Sequence, residues 1–357
     1  MRLRPGTWVG VGIGALAVAV AAVVVVAIVR DRSGGARAGP WVSLPPSAVR
    51  VLATGLNTPW GLAFLPDGSA LVTERDSTRL LRVGTDGRVS EVQRITEARP
   101  RGEGGLLGVA VSPAYATDAW VYVYYSTADD NRIARLHLGQ SPQPILTGIP
   151  HAGNHNGGRL AFGPDGMLYA GTGDATDRKR AQDRGDLGGK ILRITPDGRP
   201  APGNPFGGSP VWSLGHRNVQ GLAWDGAGRM YASEFGQNRW DELNRIEPGH
   251  NYGWPAVEGP SDDSRYTAPL AWWGTSDASP SGIAISQDRV YLACLRGTKL
   301  YRTDLDGGHP EALLAGQYGR LRHVTPAPDG SLWLLTSNRD GRGSPTADDD
   351  RILRLTP

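Results

Sequence analysis

The sequence predicts an all-β protein, a six-bladed β-propeller preceded by an N-terminal hydrophobic segment. Three observations predict it: a strand–turn–strand–loop–strand unit that recurs six times, Asp-Gly pairs in several of its turns, and 50 Gly with 27 Pro among 357 residues. Many turn formers between short apolar runs mean many short strands, and strands repeating at blade length mean a propeller. An Asp-Gly pair supplies the positive φ that a tight hairpin needs.

The first element is apolar. Trp8 to Val29 carries no charge, with Arg2 and Arg4 before it and Arg30 and Arg32 after it. A helix of that length can span a bilayer, and the stretch is long for a signal-peptide core. Ala36-Arg37-Ala38 offers a cleavage site further on. Residues 1–30 therefore read as a signal peptide or a membrane anchor, and the globular part is expected outside the cytoplasm. Residues 31–46, rich in Gly, Pro, Ser and Arg, read as a linker. The propeller is expected over 47–357.

The blades follow in order. Each opens with a strand–turn–strand pair: GLAFLPDGSALVTE from Gly61, GVAVSPAYATDAWVYVYYST from Gly108, RLAFGPDGMLYAGTGD from Arg159, GLAWDGAGRMYASEFG from Gly221, GIAISQDRVYLACLRG from Gly282 and HVTPAPDGSLWLLTSN from His323. A third strand follows each, such as RLLRVGTDG from Arg79 and RILRLTP from Arg351. The early strand AVRVLATGL is expected to pair with the last blade and close the ring. A net charge of +3 with scattered Lys and Arg gives no nucleic-acid footprint. The single cysteine, Cys294, excludes an internal disulfide and reads as a small core residue.

A propeller gathers loops of successive blades at one end of a channel, so the polar loop clusters are the candidate site. HAGNHNGGRL places His155 just before a strand, and GTGDATD places Asp174 just after the next. A hairpin returns the chain to the same end, so the two can meet as a general base and its orienting carboxylate; a structural contact tying the hairpin is the other reading. LGHRNVQGL offers Arg217, suited to an anion or a developing negative charge, with Asn218 beside it. SEFGQNRWDELN and GHNYGWP bring carboxylates and Gly-rich carbonyls, an oxygen-only set that suits calcium or is simply a solvated acidic loop. In GRLRHV, Arg320 and Arg322 alternate onto one side of a strand. They could clamp a carboxylate with Arg296, or lie on an ordinary surface strand.

From about Asn57 to Leu355 the motifs LNTPWGLAFLPDG, GEGGLLGVAVSP, NHNGGRLAFGPDG, GHRNVQGLAW, SEFGQNRWDELN and NYGWP, in this order, resemble the soluble quinoprotein glucose dehydrogenases, which include the aldose sugar dehydrogenases. The resemblance implies a six-bladed propeller that oxidises the anomeric hydroxyl of an aldose to a lactone, with hydride transfer to pyrroloquinoline quinone, and that uses calcium. It makes His155 the base, Asp174 its partner, and Arg217, Asn218, Glu103, Arg296, Arg320 and Arg322 the groups around the quinone. It makes the carbonyls of Gly236 and Gln237 ligands of the calcium under the quinone, and assigns Glu242 and Tyr252 to a second, structural calcium. An unidentified electron acceptor, a cytochrome or quinone, is implied too. Three positions depart from the family pattern: Asn154 replaces an aspartate, Gln237 a proline and Glu103 a glutamine. Two rival functions are a calcium-dependent lactone hydrolase and a non-catalytic propeller that binds glycan or protein. Neither has a use for the arginine clamp together with the His155–Asp174 pair.

Overall fold

The structure is a computed structural model that describes Met1 and residues 39–357. The predicted hydrophobic segment lies outside the described residues. Among those described, no helix is long and apolar enough to cross a membrane.

Six four-stranded antiparallel sheets follow one another along the chain. Their inner strands are Pro59–Phe64, Leu106–Val111, Leu160–Phe162, Val219–Trp224, Pro280–Ser286 and Leu321–Pro326, one per expected blade. Each inner strand touches the next, and the sixth touches the first, so the blades surround a channel. The early strand Val49–Ala53 pairs antiparallel with Ile352–Leu355 and forms the outer edge of blade six. That closure joins the two ends of the propeller through a ladder and removes two open edges.

The turn chemistry reads directly from sequence. In blade one Gly68 has φ 82°, and the Asp67 carboxylate accepts from Ser69 N at 3.0 Å and from its hydroxyl at 2.6 Å. Blade two lacks the Asp-Gly pair and uses a short helix, Tyr115–Asp118, in its place. The glycine near the start of four inner strands (Gly61, Gly108, Gly221 and Gly282) answers to crowding at the channel. A Cβ on Gly108 would lie 2.2 Å from the carbonyl oxygen of Gly158 in the next blade. Between blades, alternate side chains interdigitate into apolar clusters, such as Leu71, Leu80 and Val109 with Val123 and Tyr125 between blades one and two.

One boundary differs from expectation. Part of the predicted linker is pinned: Val42 N donates to Ala312 O at 3.0 Å, and Ala312 N to Pro40 O at 3.1 Å. Val42 and Leu44 pack on the core between blades five and six. The short outer strand Glu311–Leu313 offers unpaired backbone groups, and these residues satisfy them.

Candidate functional site

The residues singled out in sequence lie mainly at two equivalent places in each blade: the entry to the inner strand and the exit from the second strand. An antiparallel hairpin puts both at the same end of the sheet. Glu103, His155, Arg217 and Arg320 occupy entries; Asp174 and the loop from Glu234 to Gln237 occupy exits.

His155 and Asp174 meet. The ring Nδ1 lies 2.8 Å from Asp174 Oδ1, and the other ring nitrogen, Nε2, lies 2.7 Å from Arg217 Nη2. A guanidinium only donates, so Nε2 must be the unprotonated nitrogen and Nδ1 the one that donates to the carboxylate. This is the tautomer a general base needs. Asp174 is 1% exposed and is held further by Trp254 Nε1 at 2.9 Å and Thr176 N at 2.8 Å. Burial alone would raise its pKa; these hydrogen bonds and His155 hold it below the usual carboxylate range. His155 sits at φ 58°, a left-handed conformation uncommon outside glycine. Its N–H donates to Glu103 Oε2 at 3.0 Å and its carbonyl accepts from Ala175 N at 3.1 Å, which fixes that conformation.

Arg217 is buried. Its Nε and Nη2 donate to Gln237 Oε1 at 2.9 and 2.7 Å, and Nη1 donates to Phe235 O at 3.2 Å. Its backbone N–H donates to Glu234, whose other oxygen faces His216 Nδ1 at 2.8 Å. Asn218 accepts from Gly157 N at 2.9 Å, while its own amide nitrogen, also buried, has no partner. Beside this group a cavity of about 180 Å³ opens at the channel end, lined among others by Trp60, Arg75, Glu103, Arg322, Asp340 and Arg342.

Arg320 and Arg322 do point the same way. Arg320 donates through Nε and Nη2 to Asp340 Oδ2 at 3.0 and 2.9 Å. Arg322 Nη2 stands 3.6 Å from the same oxygen, its Nη1 donates to Gln220 Oε1 at 2.8 Å, and its Nε has no partner. Burial pushes Arg322 down to about 9, so it is still cationic at neutral pH. A buried cation with an unpartnered donor is a place for an anion. Arg296 follows the second strand of blade five, at the same end of the sheets. It is exposed, and only its neighbour Leu295 lines the cavity. The negative charge that Glu103 brings is met by Arg342 at 2.8 Å.

The expected calcium positions come out unevenly. The N–H groups of Gly236 and Gln237 are taken, by Asp241 Oδ1 at 2.9 Å and Glu258 Oε1 at 2.8 Å. Glu242 is buried, accepting from Gly259 N at 2.6 Å and Asn244 Nδ2 at 3.0 Å. Burial, with Glu234 nearby, raises its pKa above the usual carboxylate range. The Tyr252 hydroxyl is consumed by the backbone, donating to Arg245 O at 2.7 Å and accepting from Glu247 N at 2.8 Å. Among the described residues no three His, Cys, Asp or Glu side chains are grouped to hold a metal.

Sequence reasoning missed Asp340, Arg75, Trp254 and Glu258. A signal existed for two of them. Arg75 and Asp340 follow second strands, the position that singled out Asp174. Trp254 lies 80 residues from Asp174, so nothing in the NYGWP motif that carries it points to that partner, and Glu258 lies in an irregular loop.

Fold and site together define a six-bladed propeller with an oriented His–Asp pair beside a cavity lined by arginines. The chain belongs to the glucose/sorbosone dehydrogenase family, whose model matches residues 56–353. It is similar to the solved PQQ-bound aldose sugar dehydrogenase of Streptomyces coelicolor, 54% identical, with 87% of this chain and 99% of that one covered and a TM-score of 0.83. A putative oxidoreductase (glucose dehydrogenase) of Thermus thermophilus is 46% identical over 86% of this chain and 99% of that one, with a TM-score of 0.80. Aldose sugar dehydrogenase YliI of Escherichia coli is 28% identical over 84% of this chain and 93% of that one.

Proposed function

We propose that the protein is a pyrroloquinoline quinone-dependent aldose sugar dehydrogenase. The observation that carries this reading is the His155–Asp174 pair next to a cavity lined by the buried Arg322, whose Nε has no partner. The quinone carries carboxylates, and the cavity presents Arg75, Arg322 and Arg342 to them, with Arg320 behind Asp340. The donor set therefore fits an anionic planar ligand. Family membership and the PQQ-bound Streptomyces relative support the same cofactor.

When bound, the quinone supplies the two-electron oxidant that the side chains lack. This chain supplies the rest. His155 Nε2 takes the proton of the anomeric hydroxyl, and Asp174 stabilises the imidazolium that forms. Arg217 places a positive charge beside the developing oxyanion. Trp254, through its bond to Asp174, keeps the carboxylate turned toward the ring.

For calcium, we propose the cofactor-linked position, held by the carbonyls of Gly236 and Gln237. The hydrogen bonds that fix their N–H groups favour it, because oxygen-only donors suit this ion. At the second position Glu242 could contribute its carboxylate and Tyr252 only its main-chain carbonyl. We also propose that the propeller works outside the cytoplasm, tethered or released at its N-terminus, and passes electrons to a separate cytochrome or quinone. The Trp8–Val29 segment supports the location, and protease treatment of intact cells that spares the propeller would argue against it.

The test is aldose-dependent reduction of an artificial acceptor by full-length protein, with and without added quinone. A lactone hydrolase would instead open a lactone without quinone.

A further inference from the structure

The nitrogen of His155 that must accept the substrate proton is already engaged. An imidazole nitrogen has one in-plane lone pair, and Arg217 Nη2 occupies it at 2.7 Å. A sugar hydroxyl would have to donate to the same lone pair. The guanidinium is held there by groups outside the His–Asp pair. Gln237 Oε1 accepts from both Nε and Nη2, and Phe235 O accepts from Nη1. The loop that carries Gln237 is itself tied down. The N–H groups of Gln237, Asn238, Arg239 and Trp240 all donate to Glu258 Oε1, at 2.8, 3.1, 2.8 and 2.9 Å.

We infer that Arg217 is a latch on the base and that Gln237 sets it. The guanidinium caps His155 Nε2, and the base is released when a ligand oxygen near the cavity draws Nη2 away. The naming of Nε2 as the proton acceptor rests on the proposed dehydrogenase reading; the cap itself does not. Gln237 is thus a positioning residue that acts through Arg217. Filling the cavity uncovers the base.

The test uses full-length protein with no ligand added. Diethyl pyrocarbonate acylates an imidazole nitrogen with a free lone pair, and mass spectrometry of the His155 peptide gives the rate. Wild-type His155 is expected to react slowly. Gln237→Leu, which keeps bulk but no acceptor, should react about tenfold faster or more, the scale of one charge-assisted hydrogen bond. Gln237→Glu, which keeps an acceptor, should stay slow, and Arg217→Met should be fast. Equal rates in all four proteins, at unchanged melting temperature, would overturn the latch. Should Gln237→Leu not fold, the ¹⁵N resonance of wild-type His155 Nε2 decides: a hydrogen-bonded acceptor nitrogen supports the cap and an unbonded one overturns it. Neither readout needs quinone, so a failed latch leaves the dehydrogenase reading standing, and a failure to bind quinone leaves the latch standing.

Discussion

Replacing Asp174 by Asn changes one charge and almost no volume, in a pocket where every hydrogen-bonding position is specified. Asp174 accepts from His155 Nδ1, Trp254 Nε1 and Thr176 N. An amide offers one acceptor oxygen and one donor nitrogen, so two arrangements are open. With the oxygen toward His155 and Thr176, the amide nitrogen faces the Trp254 N–H, donor against donor. With the oxygen toward Trp254, the amide nitrogen faces His155 and forces the ring proton to Nε2, where it meets Arg217. Either way the imidazolium formed during proton transfer loses a carboxylate at 2.8 Å. Hydrogen bonds to charged groups contribute about 1.5–3 kcal/mol. At about 1.36 kcal/mol per factor of ten, kcat should fall roughly ten- to two-hundredfold. The assay is steady-state sugar oxidation at saturating quinone and calcium, with quinone affinity measured separately and expected to stay at the wild-type value. An Asp174→Asn enzyme with unchanged kcat would refute the role of the carboxylate and return the contact to a hairpin tie.

Four further outcomes follow from the same geometry. His155→Ala should lower kcat by about two to four orders of magnitude at saturating quinone, the usual cost of removing a general base; near wild-type turnover would pass the role to another group. Arg320→Ala should weaken quinone binding in a titration while leaving turnover at saturation largely intact, because it lies with Asp340 in blade six, away from the base. Gly108→Ala should destabilise the fold by about 1–3 kcal/mol in denaturant unfolding, since its Cβ would meet the Gly158 carbonyl; an unchanged midpoint would mean that the channel yields. Lys190, buried with its ammonium on Arg180 O at 2.6 Å and Gly188 O at 2.7 Å, is pushed down to about 8 by burial. The unfolded chain therefore binds the proton more tightly between pH 8 and the ordinary lysine value. Stability from this group rises with pH across that window, and Lys190→Met should remove the rise from a series of melts.

The blades were legible because each carries its own turn chemistry: Asp67 and Gly68 specify a hairpin with no help from distant residues. Even the closing strand could be placed, since a ring needs one more strand than the last blade's own text supplies. The pinned stretch from Pro40 to Leu44 was not legible, because its partner is the edge of a strand far along the chain that only the folded sheet exposes. In the site the same division holds. The His155–Asp174 pairing follows from one hairpin. The Arg322–Gln220 bond joins residues 102 apart in different blades, and the Trp254–Asp174 bond crosses 80. Such contacts depend on the order of blades around the ring, which no local pattern encodes. The alternation of Arg320 and Arg322 leaves a ligand clamp and an ordinary surface strand both open; in the fold the two are buried with Asp340 between them, and the place of Asp340 after a second strand is the sign that points to it. Arg296 stands exposed in the exit loop of blade five, beside the cavity-lining Leu295.

The most direct measurement is calorimetric titration of pyrroloquinoline quinone into the purified full-length protein in calcium-containing buffer. Saturable binding of one quinone per chain, followed by aldose-dependent dye reduction only by the loaded protein, is the result predicted here. Absence of binding at saturating quinone and calcium would contradict the dehydrogenase reading.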